Sequence, residues 1–258
     1  MEQNNKHEQY LELLQPGERM DDLLTHRLHI IQSPDVFSFS MDAVLLARFI
    51  AVPPRGKVMD LCTGNGVIPI LLSTRTAASI EGVEIQERLA HMAERSVQIN
   101  ELQSQITIRN QDLKELPLQG EHGTYDALTV NPPYMPMNGN EVKLNMHHAM
   151  ARHEIGCTLE DVVRTAAGLL KNGGKLAMVH RPHRLVDIVL MMRQYGVEPK
   201  RIRFVHPRRH MEANMVLVEG IRGGKPEARV LPPLIVYNDQ NEYVPEIMDI
   251  YYGQKESL

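Results

Sequence analysis

The sequence predicts a doubly wound α/β fold, a mostly parallel sheet with helices on both faces, and three observations carry that prediction. From Val58 onward, short apolar runs alternate with longer stretches of helical periodicity. The first three of these runs finish in acids, at Asp60, Glu84 and Asp112. The fourth, Tyr125–Val130, is cut off by Asn131-Pro132-Pro133-Tyr134, whose two prolines cannot donate to a sheet ladder. Open sheets of this kind bind ligands along the carboxyl ends of their strands, where all of these residues fall.

Composition narrows the class. With 258 residues, 43% of them hydrophobic and 23% charged, the chain can bury a sizeable core as one large α/β domain or two small ones. No apolar run reaches the ~18 residues that a membrane span needs, and the polar start, Met1 to Gln15, lacks the pattern of a secretory signal. Two cysteines, Cys62 and Cys157, argue against a disulfide framework or a zinc ribbon. The expectation is a cytoplasmic protein with no membrane and no metal partner, working as a monomer or weak homodimer. A net charge of −4 excludes coating nucleic acid by bulk charge, yet Lys200, Arg201, Arg203, Arg208 and Arg209 form a basic cluster whose local field matters more than the total.

In chain order, residues 1–24 read as a polar leader with a short helix. Arg27–Gln32 alternates as a strand, Ser33-Pro34-Asp35 turns, and Ser40 or Asp42 caps a helix over Ala43–Ile50 whose apolar face is Val44, Leu45 and Phe49. Residues 1–50 are thus an N-terminal extension, and Pro53-Pro54-Arg55-Gly56 opens the main domain, 51–258. Val58–Cys62 is the first core strand and Thr63–Gly66 a glycine turn. A helix follows over Val67–Thr74, with Pro69 tolerated in its first turn. Strands at Ser79–Ile85 and Gln105–Gln111 flank a helix over Glu87–Asn100 that points Leu89, Met92, Ala93 and Val97 inward. After Tyr125–Val130 comes a long polar loop, 135–156, then a helix over Leu159–Leu170, a Gly173-Gly174 turn and a strand at Lys175–His180. A helix over Leu185–Tyr195 and a strand pair, Lys200–His206 and Asn214–Gly220, complete the domain. Whether the tail from Leu231 pairs with the sheet is left open.

Asp60-Leu61-Cys62-Thr63-Gly64-Asn65-Gly66 lets a ligand approach the backbone where a side chain would collide. It lacks both the three-glycine dinucleotide fingerprint and the Gly-Lys-Ser/Thr of a phosphate loop. Taken alone it could be only a tight turn, just as a single acid at a strand end is often only a solvated terminus. Three acids on one rim, in order, are harder to dismiss. Asn131 adds a carboxamide oxygen, proline carbonyls and an aromatic ring, an acceptor-rich clamp for a planar amino group.

With these motifs in hand, the chain resembles class I S-adenosylmethionine-dependent N-methyltransferases of the Asn-Pro-Pro-Tyr type. The segment Asp35–Ala47 and Ala151-Arg152-His153-Glu154 narrow the resemblance to the bacterial tRNA(Val) adenine-37 N6-methyltransferase family. The resemblance implies a Rossmann-like fold with a seven-stranded sheet whose last strand is antiparallel. It also implies S-adenosyl-L-methionine as cofactor and tRNA as substrate. Asp60 and the backbone of Thr63, Gly64, Asn65 and Gly66 are then expected to hold the methionine part, Glu84 the ribose, and Asp112 with Leu113 the adenine. Phe39 and Ser40 close over the cofactor. Asn131 and the Pro132 carbonyl take hydrogen bonds from the target amine, with Pro133 completing the motif and Tyr134 stacking on the base. Arg152, His153 and the basic cluster are the expected substrate contacts.

The chemistry wants these groups. The lone pair of adenine N6 is delocalised into the ring, and two acceptors on its hydrogens favour a pyramidal nitrogen and accommodate its developing positive charge. The same clamp serves a glutamine amide of a protein such as a release factor, or an adenine in DNA. A binding module that keeps a cofactor pocket without turnover is the non-enzymatic alternative.

Overall fold

The computed structural model describes residues 12–36, 41–132 and 157–252. The described residues open on a hairpin, in which β1 (Arg19–Asp22) pairs antiparallel with β2 (His29–Gln32), while residues 1–11 of the leader, where a short helix is expected, lie outside the described residues. The two isoleucines of β2 decide this, since Ile30 and Ile31 point to opposite faces and both are fully buried. Helix α1 (Met41–Phe49) is buried from Asp42 to Ala47, as suits a helix apolar on nearly every side, and Ala43 donates its backbone N–H to Asp42 Oδ1 at 2.9 Å.

The doubly wound sheet follows. From β3 (Lys57–Leu61) the chain passes through α2 (Val67–Ser73) to β4 (Ser79–Glu84), then through α3 (Glu87–Ile99) to β5 (Ile106–Asn110), all three strands parallel. It then reverses direction across the sheet. β6 (Tyr125–Val130) pairs with the other side of β3, and helix α4 (Leu159–Leu169) leads to β7 (Leu170–His180), parallel to β6. Helix α5 (Leu185–Gln194) precedes β8 (Val197–His206), and β9 (Met215–Arg222) inserts antiparallel between β7 and β8. The seven strands run β5-β4-β3-β6-β7-β9-β8, with β9 alone reversed, as expected.

Two details depart from the sequence reading. β7 starts at Leu170, because the residue closing α4 is already extended and pairs with Tyr125. The ladder shifts register before Lys175, so the Gly173-Gly174 pair belongs to an irregularity inside one strand. The tail does join the sheet. β10 (Arg229–Val230) and β11 (Leu234–Ile235) add two short parallel pairings to the outer edge of β8, and α6 (Pro245–Tyr252) follows them.

Alternate residues of each strand feed two apolar layers, which is why the strands read as nearly continuous apolar runs. Val58, Ile80, Ala127 and Ala177 meet α1 and α2 on one face. Met59, Val83, Leu128 and Met178 meet α4 and α5 on the other. The apolar residues of α1 therefore share a core with the sheet. Among the described residues no helix is long and apolar enough to cross a membrane.

Candidate active site

β3 and β6 are neighbours with β4 and β5 to one side and the later strands to the other, so the topological switch point lies between them. Leu61 and Val130 are ladder partners. The chain leaving β3 into the Cys62–Gly66 turn and the chain leaving β6 into Asn131-Pro132 therefore emerge side by side at the sheet's carboxyl rim. Asn131 is half-buried and Pro132 buried.

Asp60 is shut off from solvent. Its Oδ1 accepts from the Thr129 hydroxyl at 2.6 Å, and its Oδ2 has no hydrogen-bond partner among the described residues. Burial pushes the Asp60 carboxyl up to about 7, and the nearby Glu84 charge adds to the rise against the lowering by hydrogen bonds. The buried hydroxyl of Thr63 lies near enough to Asp60 to lower its pKa, yet makes no hydrogen bond of ordinary geometry among the described residues.

The glycine turn is held from below. Thr63 donates its N–H to the Val83 carbonyl at 2.9 Å, and Gly64 donates its own to Glu84 Oε2 at 2.9 Å. The other Glu84 oxygen accepts from the Gln86 N–H at 2.9 Å. Burial nonetheless raises the pKa of Glu84, since these backbone donors do not replace the water it has lost.

The two glycines of the turn differ in kind. Gly64 has φ +58°, and a Cβ there would meet nothing within 4 Å. Gly66, at φ +88°, would drive a Cβ to 3.1 Å from Ala93 Cβ, so it is needed for close packing of α3. Asn65 turns its side chain away from the rim and donates to the Ile31 carbonyl at 2.9 Å, tying the turn to β2.

Asp112, just beyond β5, accepts from the Lys114 backbone N–H at 3.0 Å and lies 3.3 Å from Lys114 Nζ, while the neighbouring Leu113 is buried. The structure thus brings Asp60, Thr63, Gly64, Glu84, Asp112 and Asn131 to one rim. Phe39, Ser40, Pro133, Tyr134, Arg152 and His153 lie outside the described residues.

The basic cluster does not act as one patch. Arg201 grips the buried Glu219 with Nε and Nη2, both at 2.8 Å, and lies 4.7 Å from the centre of the Phe49 ring. Lys200 donates to the Lys225 carbonyl at 3.0 Å, and Arg203 pairs with Glu246 at 2.6 Å. Arg208 donates to Asn241 Oδ1 at 2.7 Å, and Arg209 is exposed. Lys200, Arg201 and Arg203 thus join β8 to its neighbours and to the tail.

Three residues escaped the sequence reading. Thr129 had a signal, because any parallel pairing that aligns β3 with β6 places it beside Asp60. Gly82, a glycine inside an apolar strand, leaves room for Thr63, whose Oγ1 would lie 3.0 Å from a Cβ there. Cys157 had none: it comes within hydrogen-bonding reach of Cys62 across the fold. Cys62 itself takes a left-handed φ of 58°, unusual for a side-chain-bearing residue.

Residues 27–196 match the family model described as the methyltransferase small domain. The chain belongs to that family. Relatives of this methyltransferase domain include the tRNA1(Val) (adenine(37)-N6)-methyltransferase of Porphyromonas gingivalis, 28% identical over 75% of this chain and 78% of the relative. The enzyme of the same name from Tolumonas auensis is 25% identical over 86% of this chain and 91% of its own length. Among solved structures, a predicted O-methyltransferase from Agrobacterium tumefaciens superposes with a TM-score of 0.67 at 23% identity, covering 82% of this chain and 95% of that one. The geranyl diphosphate C-methyltransferase of Streptomyces coelicolor, solved with S-adenosyl-L-homocysteine, gives 0.54 at 14%, over 70% and 74% of the two chains. Both likenesses place the methyltransferase fold on this chain's sheet.

Proposed function

We infer that this chain is an S-adenosylmethionine-dependent methyltransferase acting on the exocyclic N6 of an adenine in tRNA, at position 37 beside the anticodon. One observation carries the reading: Asn131-Pro132 emerges at the switch point beside the Asp60–Gly66 turn. The chain's family and the names of its relatives point the same way.

The residues present fit the cofactor. Gly64 faces open space that a side chain would enter, and Asp60 Oδ2 and Thr63 Oγ1 are buried polar atoms with no hydrogen bond of ordinary geometry among the described residues. A cationic, hydroxyl-rich ligand supplies what such atoms lack. When bound, S-adenosylmethionine brings a methyl already activated by its sulfonium, so neither a metal nor a covalent enzyme adduct is required. Asp60 and the turn backbone hold its amino-acid end, Glu84 its ribose, and Asp112 with Leu113 its adenine. Residues 1–50, including Phe39 and Ser40, cap the site.

The chain's own contribution to the chemistry is orientation. The Asn131 carboxamide oxygen and the Pro132 carbonyl accept from the two N6 hydrogens and stabilise positive charge as it develops on nitrogen. Pro133 and Tyr134 complete the clamp, with the tyrosine ring stacking on the base. A loop adenine beside the anticodon is already poorly paired, so bringing it to this rim costs less than flipping it from a duplex.

Incubation with methyl-labelled cofactor and, separately, total tRNA, DNA or a release factor tests the reading. Label recovered from tRNA as N6-methyladenosine is expected. Label confined to a glutamine or to DNA, or found in none of the three, overturns it.

A further inference from the structure

β8 is antiparallel to β9, and β9 is antiparallel to β7, so β8 runs in the same direction as β7 and β6. Its carboxyl end therefore lies on the same rim as Asn131. The ladder row that holds Val130 continues through Met178, Val218 and Ile202. Beyond that row β7 runs on to His180 and β8 further still, to His206. The two strands thus raise a wall beside the site, whose far edge stands three strand spacings, about 14 Å, from β6.

Two loops crown that wall. Arg181-Pro182-His183-Arg184 follows β7, and Pro207-Arg208-Arg209-His210-Met211-Glu212 follows β8. They form one surface, because Arg181 Nη1 donates to the Asn214 carbonyl at 3.1 Å and His206 Nδ1 meets the Met211 carbonyl at 2.7 Å. His183, Arg209 and His210 are exposed. From Arg181 to Asp187 and from Pro207 to Asn214, four arginines stand against Glu212 and Asp187, which pairs with Arg184 at 2.9 Å, in a chain whose net charge is −4. The crowding of positive charge is felt underneath: burial first, then Arg184, His183 and Arg181, push the buried His180 down to about 4.

We propose that this crest, carrying Arg181, His183, Arg208, Arg209 and His210, is the phosphodiester-docking surface for the RNA whose base enters the Asn131 site. The inference rests on the tRNA reading above and sharpens it. The part of the basic cluster that meets RNA is the Arg208-Arg209 end, joined by residues after β7: Arg208 and Arg181 bond neutral oxygens of Asn241 and Asn214, whereas Arg201 and Arg203 are neutralised by the carboxylates of Glu219 and Glu246. Contacts of this kind position the strand without reading its sequence.

The test uses the full chain, a transcribed tRNA(Val) and three variants: Arg209→Glu, the double variant Arg181→Glu with Arg209→Glu, and Lys171→Glu. Lys171 pairs with Asp126 near the amino end of β7, on the opposite rim. Arg209→Glu changes an exposed side chain and keeps the test valid should the double variant fold poorly. Binding is titrated between about 50 and 200 mM salt, and transfer is assayed at saturating tRNA. Expected is tRNA affinity weakened about tenfold or more in the rim variants, with the slope of log Kd against log salt flatter by about one for each arginine replaced. Cofactor affinity, kcat at saturation and the behaviour of Lys171→Glu should stay at wild-type values. Wild-type affinity and slope in both rim variants would overturn the surface and leave the function standing. Rim-dependent binding without any transfer to tRNA would support the surface and sink the function.

Discussion

Thr129 and Asp60 sit side by side on β6 and β3, the two strands that flank the switch point, joined by a 2.6 Å hydrogen bond with neither residue reached by solvent. This bond uses one carboxylate oxygen and leaves the other without a hydrogen-bond partner among the described residues. The fold therefore holds an acid in surroundings that disfavour its charge, at the place where the proposed function puts a cation. Binding then has an electrostatic deficit to relieve.

That deficit makes stability depend on pH. The unfolded Asp60 carboxyl loses its proton near 4, whereas the folded one keeps it until about 7. The folded state binds more protons between those values, so this residue's contribution to stability is neutral below about 4 and falls as pH rises to about 7, then levels off. The full loss is on the order of 4 kcal/mol. Asp60→Asn should therefore melt above the wild type at pH 8, and the gap should close toward pH 5. A gap in Tm that does not change across this range would contradict the assignment.

The two glycines of the turn should separate binding from folding. Both have positive φ, so alanine at either carries a backbone cost of about 1–2 kcal/mol. Gly64→Ala adds a methyl in open space and should keep most of the melting temperature while weakening cofactor binding at least tenfold. Gly66→Ala collides with Ala93 and should lower the melting temperature further. Calorimetric titration beside thermal melts reads both effects, and a Gly64→Ala variant with unaltered cofactor affinity would remove that turn from the cofactor site.

Asn131→Ala addresses the chemistry. If its oxygen acts chiefly on the transferring nitrogen, kcat should fall by about 10²–10³-fold or more while cofactor affinity stays within a few-fold. Single-turnover assays with saturating cofactor give the first quantity and equilibrium titration the second. Collapse of cofactor binding in this variant would assign Asn131 to the wrong ligand.

The sheet and its rim were legible because buried parallel strands carry a strong local signal and their terminal residues fall in chain order. The partners of those residues were not. Thr129 becomes Asp60's donor only through strand pairing, and the two sit far apart in sequence. The β1–β2 hairpin was hidden for a similar reason, since three of the four residues of β1 are charged and gain strand form only from pairing with β2. The basic cluster misled in the opposite way: adjacent letters look like one patch, yet a strand turns alternate side chains to opposite faces and Arg201 finds a carboxylate there.

Cys62 and Cys157 allow a test of how tightly the turn is placed. Both are free thiols, and Cys157 lies one residue before the Thr158–Asp161 capping box that fixes the start of α4. The neighbouring Cys62 thiol holds the Cys157 pKa below the usual thiol range while its own is pushed up, so the pair's first proton leaves from Cys157. Iodoacetamide near neutral pH should modify Cys157 before Cys62, as read by peptide mass mapping. Cys62→Ala should slow that reaction by removing the neighbouring thiol, and equal rates at Cys157 in the two proteins would mean that the thiols do not interact.

Arg201 offers the sharpest separation between structure and RNA binding, because a lone arginine in a basic run invites the wrong inference. Its guanidinium meets both oxygens of Glu219, which is 3% exposed and also accepts from the Ala51 N–H at 2.8 Å. Removing the arginine strands a buried carboxylate, a loss of roughly 2–4 kcal/mol, held toward the lower figure because a third of the Arg201 side chain meets solvent. Arg201→Met should lower Tm by several degrees while leaving the salt dependence of tRNA binding unchanged. Adding Glu219→Gln should recover part of the lost stability, since a neutral amide needs no cation beside it. A flatter salt slope in Arg201→Met, with Tm unmoved, would return Arg201 to the RNA surface and take it out of the fold's internal bracing.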